Sequence, residues 1–149
     1  MDRNKTIDVL NGLIETCRDG QHGFLEASEN ISNGEFKSIF ADVSLERARF
    51  VGELQQEVRA LGGDPEDTGS TAAALHRAWI DIKGTFTGKD DQSILSECER
   101  GEDSAVAQYR DALKSELPSN LLEIVERQFE EVHRVHNLVK QYRDSYAKA

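Results

Sequence analysis

The stretch FKSIFADVSLERARFVGELQQEVRALGGDP, residues 36–65, decides the fold. Phe36, Phe40, Val43, Arg47, Phe50, Leu54, Val58 and Leu61 recur at alternating steps of three and four, the stripe of one long amphipathic helix. Gly62-Gly63 supplies the left-handed residue that closes such a helix, and Asp64-Pro65 then stops it. Arg47 stands in the middle of the apolar stripe. A permanent cation in that position must be paired and hydrogen-bonded, because a lone buried charge costs several kcal/mol.

On the N-terminal side, Ile7, Leu10, Ile14, Cys17, Gln21, Phe24, Ser28 and Ile31 carry the same spacing, and Asn33-Gly34 is a turn dipeptide. The first two helices, at about 5–32 and 35–62, therefore form an antiparallel hairpin. Beyond Pro65 lies a long link. Ser70 can cap a short helix at about 71–83, with Leu75, Ala78, Trp79 and Ile82 on one face, and Trp79 is expected to pack on the bundle. A third helix at about 91–116 carries Leu95, Cys98, Glu102, Ala105, Tyr109 and Ala112. Pro118 breaks the chain, and a fourth at about 119–147 turns Leu121, Val125, Gln128, Val132, Val135, Val139 and Tyr142 inward. Two hairpins joined by one long crossover predict an all-α, ferritin-like four-helix bundle in a single domain spanning residues 1–149.

Composition bounds the function. Lys and Arg number 18 against 28 Asp and Glu, a formal net charge of −10, which repels nucleic acid and anionic membrane. No apolar run approaches the ~20 residues of a membrane span. The first residues lead into amphipathic sequence without a signal-peptide core, so the expectation is a soluble, cytoplasmic protein. Cys17 and Cys98 fall on inward faces at different heights and read as reduced core thiols. A glycine-rich phosphate loop, Cys-x-x-Cys, His-Glu-x-x-His and a nucleophile motif are all missing, so an enzyme of a known motif class is disfavoured.

Several short motifs in a fixed order carry a resemblance along most of the chain. They include Leu10-Asn11-Gly12-Leu13-Ile14-Glu15-Thr16, Leu61-Gly62-Gly63-Asp64-Pro65-Glu66, Ala74-Leu75-His76-Arg77-Ala78-Trp79 and Glu97-Cys98-Glu99-Arg100-Gly101-Glu102-Asp103. With Tyr109, Leu117-Pro118, Gln128 and His136, they make the chain similar to an uncharacterised bacterial family of ferritin-like bundles in the rubrerythrin/ferritin superfamily. The resemblance implies the fold and a bacterial source. It carries no established catalytic residues.

A bundle di-iron site takes one Glu from each of two helices and a Glu-x-x-His from each of the other two. Candidates cluster near mid-height: Gln21, Arg47, Glu99, Glu102, His133 and His136. At 100° per residue, helix one turns Gln21 inward and Asp19 away; helix two offers Glu46-x-x-Arg49, with arginine where histidine is required. Facing thus favours a polar core of Arg47 against Glu102, tied off by Gln21, Gln128 and His136, with no cofactor. The alternative is a metal ion, iron or manganese, on Glu99, Glu102 and His133 or His136. Gly20, Gly23 and Gly101 stand inside helices at this level, where close helix approach or a π-bulge would explain them, an exposed face being the alternative for Gly23.

Two classes of function follow. One is a non-enzymatic, stress-associated bundle, dimeric through aromatic residues such as Trp79, Tyr142 and Tyr146. The other is a metal-dependent redox or storage protein of the ferritin type. Neither reading names a protein partner.

Overall fold

The computed structural model describes residues 2–65, 86 and 89–148. The helix expected at about 71–83, with Trp79 on it, lies outside the described residues. Among those described, four helices account for the ordered structure: α1 (Arg3–Asn30), α2 (Gly34–Ala60), α3 (Asp91–Leu113) and α4 (Ser119–Lys148). No strand occurs among them.

Each of the first three helices starts on a side chain that replaces a missing backbone partner. Asp2 accepts from the Lys5 amide at 2.8 Å, Asn33 from Phe36 at 3.1 Å and Asp90 from Ser93 at 2.8 Å. The end of α2 is closed by Gly62, whose φ of +82° lets its own N–H reach Arg59 O and that of Gly63 reach Val58 O. Helix α3 stops short of residue 116, because Glu116 takes a positive φ of 59° and Leu117 precedes a proline.

Hydrogen bonds at the two ends of the bundle set its topology. Arg3 Nη1 donates to Leu61 O at 2.6 Å and Asn11 Nδ2 to Asp64 O at 3.1 Å, joining the start of α1 to the exit of α2. At the opposite end, the Asp91 carboxylate accepts from the amides of Ser32 at 2.7 Å and Asn33 at 3.1 Å. The chain therefore leaves α2 at one end and re-enters through α3 at the other, about 40 Å away. Helix α1 runs antiparallel to α2 and to α3, and α4 packs against α3 and α2. This is the ferritin-like arrangement.

The interior is divided in two. One apolar core gathers Leu10, Ile14, Phe50, Leu54, Leu121 and Val125; the other gathers Phe24, Phe40, Ile94, Leu95, Val135 and Val139. Each such side chain contributes about 1.5–3 kcal/mol by burial. Tyr142 and Tyr146 belong to the second core. They lie over Phe36, with ring centroids 4.2 and 6.0 Å away, and Tyr146 Oη donates to Asp91 at 3.2 Å. The last turns of α4 lay these rings over the start of α2, and both stay partly exposed. Between the two cores lies a layer of polar groups.

Candidate functional site

Arg47 and Glu102 meet at the centre of that layer. Arg47 Nη1 donates to Glu102 Oε1 at 2.8 Å and Nη2 to Oε2 at 2.7 Å, a two-pronged pair with each side chain only 1% exposed. Burial alone would pull the arginine pKa down, but the charge and hydrogen bonds of Glu102 outweigh it and hold the guanidinium above its ordinary value. Arg47 Cζ lies 5.5 Å from the centroid of Phe24, so the aromatic face adds to its stabilisation. Its Nε makes no hydrogen bond.

Gly20 makes the pair possible. A Cβ at that position would stand 2.9 Å from Arg47 Nη1, closer than real contacts allow. Close approach is therefore the reason for glycine in the middle of α1. Gly23 and Gly101 are buried as well, which corrects the exposed alternative for Gly23.

The remaining polar residues join other partners. Gln128 is fully buried, and its Oε1 accepts from Tyr109 Oη at 2.8 Å while its Nε2 reaches Glu53 at 3.3 Å. Tyr109 Oη is also 3.0 Å from Cys17 Sγ. Burial raises Cys17 to about 11 and Tyr109 well above its usual value, so both stay protonated at neutral pH. Because the tyrosine proton goes to Gln128, the thiol donates to the tyrosine oxygen. Glu53 takes both Nη groups of Arg127 at the surface, and those bonds lower its pKa. Helix α1 corrects the expected facing: Asp19 is buried and lines a small cavity with Gly20, Gly101 and Glu102, whereas Gln21 is only half-buried and brings to the layer its carbonyl, which accepts from Ser44 Oγ at 2.7 Å.

His136 departs from the expected polar core. It sits one position past Val135, rotated off the inward seam, and its Nε2 is 2.5 Å from Asp103 Oδ1 on the flank of α3 and α4. Its ring lies nearly parallel to that of His133, which in turn stacks on Phe129. Glu99, one turn before Asp103, is buried; Arg143 Nε comes within 2.9 Å of its Oε2, although that oxygen accepts no hydrogen bond. Glu99, Asp103 and His136 thus each offer a ligand atom within 4.8 Å of the others.

This set differs from the one expected. Glu102 is not in it, since Arg47 takes both of its oxygens, and His133 is not in it either. Asp103 was missed, although Glu99-x-x-x-Asp103 puts two carboxylates on one face of a helix. Only the position of α4 shows that His136 faces them.

Residues 5–115 match the family described as "Domain of unknown function (DUF2383)". The chain belongs to that family. The match ends before α4, so Gln128, His133 and His136 lie outside it. No curated protein matches the chain. Among solved structures, a tetragonal form of Dps from Mycobacterium smegmatis superposes with a TM-score of 0.79 at 13% identity, covering 94% of this chain and 86% of that one. The Dps protein from Vibrio cholerae O1, described as a member of a broad superfamily of ferritin-like diiron-carboxylate proteins, gives 0.75 at 16% identity, covering 94% and 89%. At such identities the likeness establishes the fold, a Dps-like and ferritin-like four-helix bundle. No helix among the described residues is long and apolar enough to cross a membrane.

Proposed function

We propose that this chain is a ferritin-like bundle whose central layer holds a structural ion pair in place of a di-iron centre, and that it acts by binding rather than by metal-centred oxidation. The observation that carries the reading is the two-pronged Arg47–Glu102 contact. A di-iron centre requires several free carboxylates and imidazoles aimed at one point. Here both oxygens of Glu102, the most deeply buried carboxylate of α3, are held by a guanidinium. A unit positive charge 4 Å from a cation repels it by about 4 kcal/mol per unit charge at an effective dielectric of 20. Among the described residues, this charge and donor arrangement argues against a di-iron centre.

A second reading is favoured by the flank. Glu99, Asp103 and His136 combine two carboxylates with an imidazole, a donor set that suits a single iron or manganese ion. Arg143 competes with such an ion for Glu99.

Metal content separates the readings. Protein purified from cells supplied with iron and manganese is analysed by mass spectrometry, and ferrous oxidation is followed alongside. The first reading expects substoichiometric metal and oxidation no faster than in buffer. Two irons per chain, lost on changing Glu102, would overturn it. One ion per chain, lost in Asp103→Asn and kept in Glu102→Gln, establishes the second reading.

A further inference from the structure

Opposite its buried stripe, α2 carries a second one. Ser38, Asp42, Leu45, Arg49, Gly52 and Gln56 follow the same alternating three–four spacing, and all are exposed. Leu45 is 61% exposed, the most of any large apolar side chain among the described residues, and it stands at the middle of the stripe. Ile39 and Leu138 border it, and the groove they share with α4 is lined by two acids, Asp42 and Glu46, and two bases, Arg49 and Arg134. On a chain of net charge −10 this is a balanced patch. The net negative charge opposes self-association on average, and acids and bases equal in number along this groove remove that opposition locally.

We infer that the outer face of α2 binds a second copy of this chain, antiparallel to the first, about a two-fold axis passing close to Leu45. Charge order specifies the orientation. Asp42 and Arg49 lie one turn to either side of Leu45 and about 10 Å apart along the helix, too far to pair with each other. Among the described residues neither makes an ion pair. An antiparallel copy brings each Asp42 to the other's Arg49, two equivalent contacts, as an isologous interface requires. A parallel copy would set acid against acid.

Gly52 supplies a separate argument. A glycine in a helix interior is less favourable than alanine, yet among the described residues nothing lies within 4 Å of where a Cβ of Gly52 would be. No contact among the described residues calls for it. A second helix crossing closely does, and in the antiparallel arrangement Gly52 falls opposite the Ser38–Ile39 end of the other copy. Small residues at Ser38 and Gly52, one to either side of Leu45, suit two helices that meet at that leucine.

The inference is independent of how the polar layer is read. Its test is sedimentation velocity on the full chain from low to high micromolar concentration, with helicity checked by circular dichroism. The wild type is expected to dimerise. Leu45→Glu should raise the dimer dissociation constant roughly a hundredfold, since it places a charge at the centre of the contact. Asp42→Arg and Arg49→Asp should each raise it about tenfold or more by facing like charges. The two reversals together should restore wild-type dimerisation, because the pairing is rebuilt with its signs exchanged. These positions are exposed, so the variants should keep their helicity. A wild type that stays monomeric overturns the inference. So does a dimer that survives Leu45→Glu, or a double reversal that fails to restore association.

Discussion

Glu102 and Asp103 are neighbours on α3, and their surroundings could hardly differ more. A rotation of 100° turns Glu102 into the bundle, where it is 1% exposed and held by two hydrogen bonds from Arg47. Asp103 points out beside His136, with its side chain 59% exposed. The inner carboxylate has one partner and no access to water, so everything depends on that partner. The outer one can exchange an imidazole for water or a cation at little cost. Facing, more than proximity in sequence, decides which carboxylate is structural and which is available.

The strongest way to break this contrast is to strand a charge. Arg47→Ala or Glu102→Ala should each lower unfolding stability by roughly 3–5 kcal/mol, read from urea denaturation. Replacing both with apolar residues of similar volume, Arg47→Met with Glu102→Leu, should cost clearly less than the sum of the single changes. If the effects simply add, the pair is not acting as a unit.

Gly20 sharpens the same point at a smaller scale. Gly20→Ala should improve helix propensity, yet it forces a methyl against Arg47 Nη1, so a net loss of about 1–3 kcal/mol is expected. In the Arg47→Met background the clash disappears, and the same substitution should become neutral or stabilising. A loss of equal size in both backgrounds would show that something other than Arg47 fills that space.

These residues also mark how far the sequence could be read. The three–four stripes put Arg47 and Glu102 on inner faces without any knowledge of the fold, because each stripe fixes direction around its own helix. Gln128 was equally legible as an inward residue. Its partner was not, since Tyr109 comes from another helix and the relative height of two helices is set by their packing. His136 sits between Val135 and Val139 in the stripe's sequence but about 100° from Val135 in angle, enough to carry it from the layer to the flank. Periodicity gives the direction of a side chain only to within a residue or so, and a metal-ligand set needs better than that. Tyr142 was legible as inward from the same stripe; that Phe36 is the ring it covers was not, because this depends on how far α4 extends past the start of α2.

The flank should answer weakly where the layer answers strongly. Asp103→Asn removes a mostly exposed contact, and the expected change in stability is within about 0.5 kcal/mol. A larger loss would mean that Asp103 and His136 brace the α3–α4 hairpin, which would erase the distinction between the two carboxylates.

The smallest effect tests the contrast once more on α2, where Glu46 precedes Arg47 and faces the edge. One of its oxygens is buried without a hydrogen bond, and burial, followed by the charge of Glu131, raises its pKa. The folded protein therefore holds this proton more tightly than the unfolded chain does. Ionised Glu46 disfavours folding at neutral pH, and that penalty disappears as pH falls through the raised folded value and then the unfolded one, near pH 4. Glu46→Gln should accordingly stabilise the protein at pH 7, by only a few tenths of a kcal/mol because the group is more exposed than buried and solvent screens it. The gain should vanish below about pH 4. Glu53, two turns further on, runs the other way. Hydrogen bonds from Arg127 lower its pKa, so its contribution to stability is present above the unfolded value and is lost as pH falls through the folded one. Glu53→Gln should destabilise at pH 7, again with a difference that fades in acid. Urea midpoints for both variants at the two pH values check the pair of signs. If both substitutions shifted stability in the same direction at pH 7, exposure alone would be governing these carboxylates, and the local partner would not.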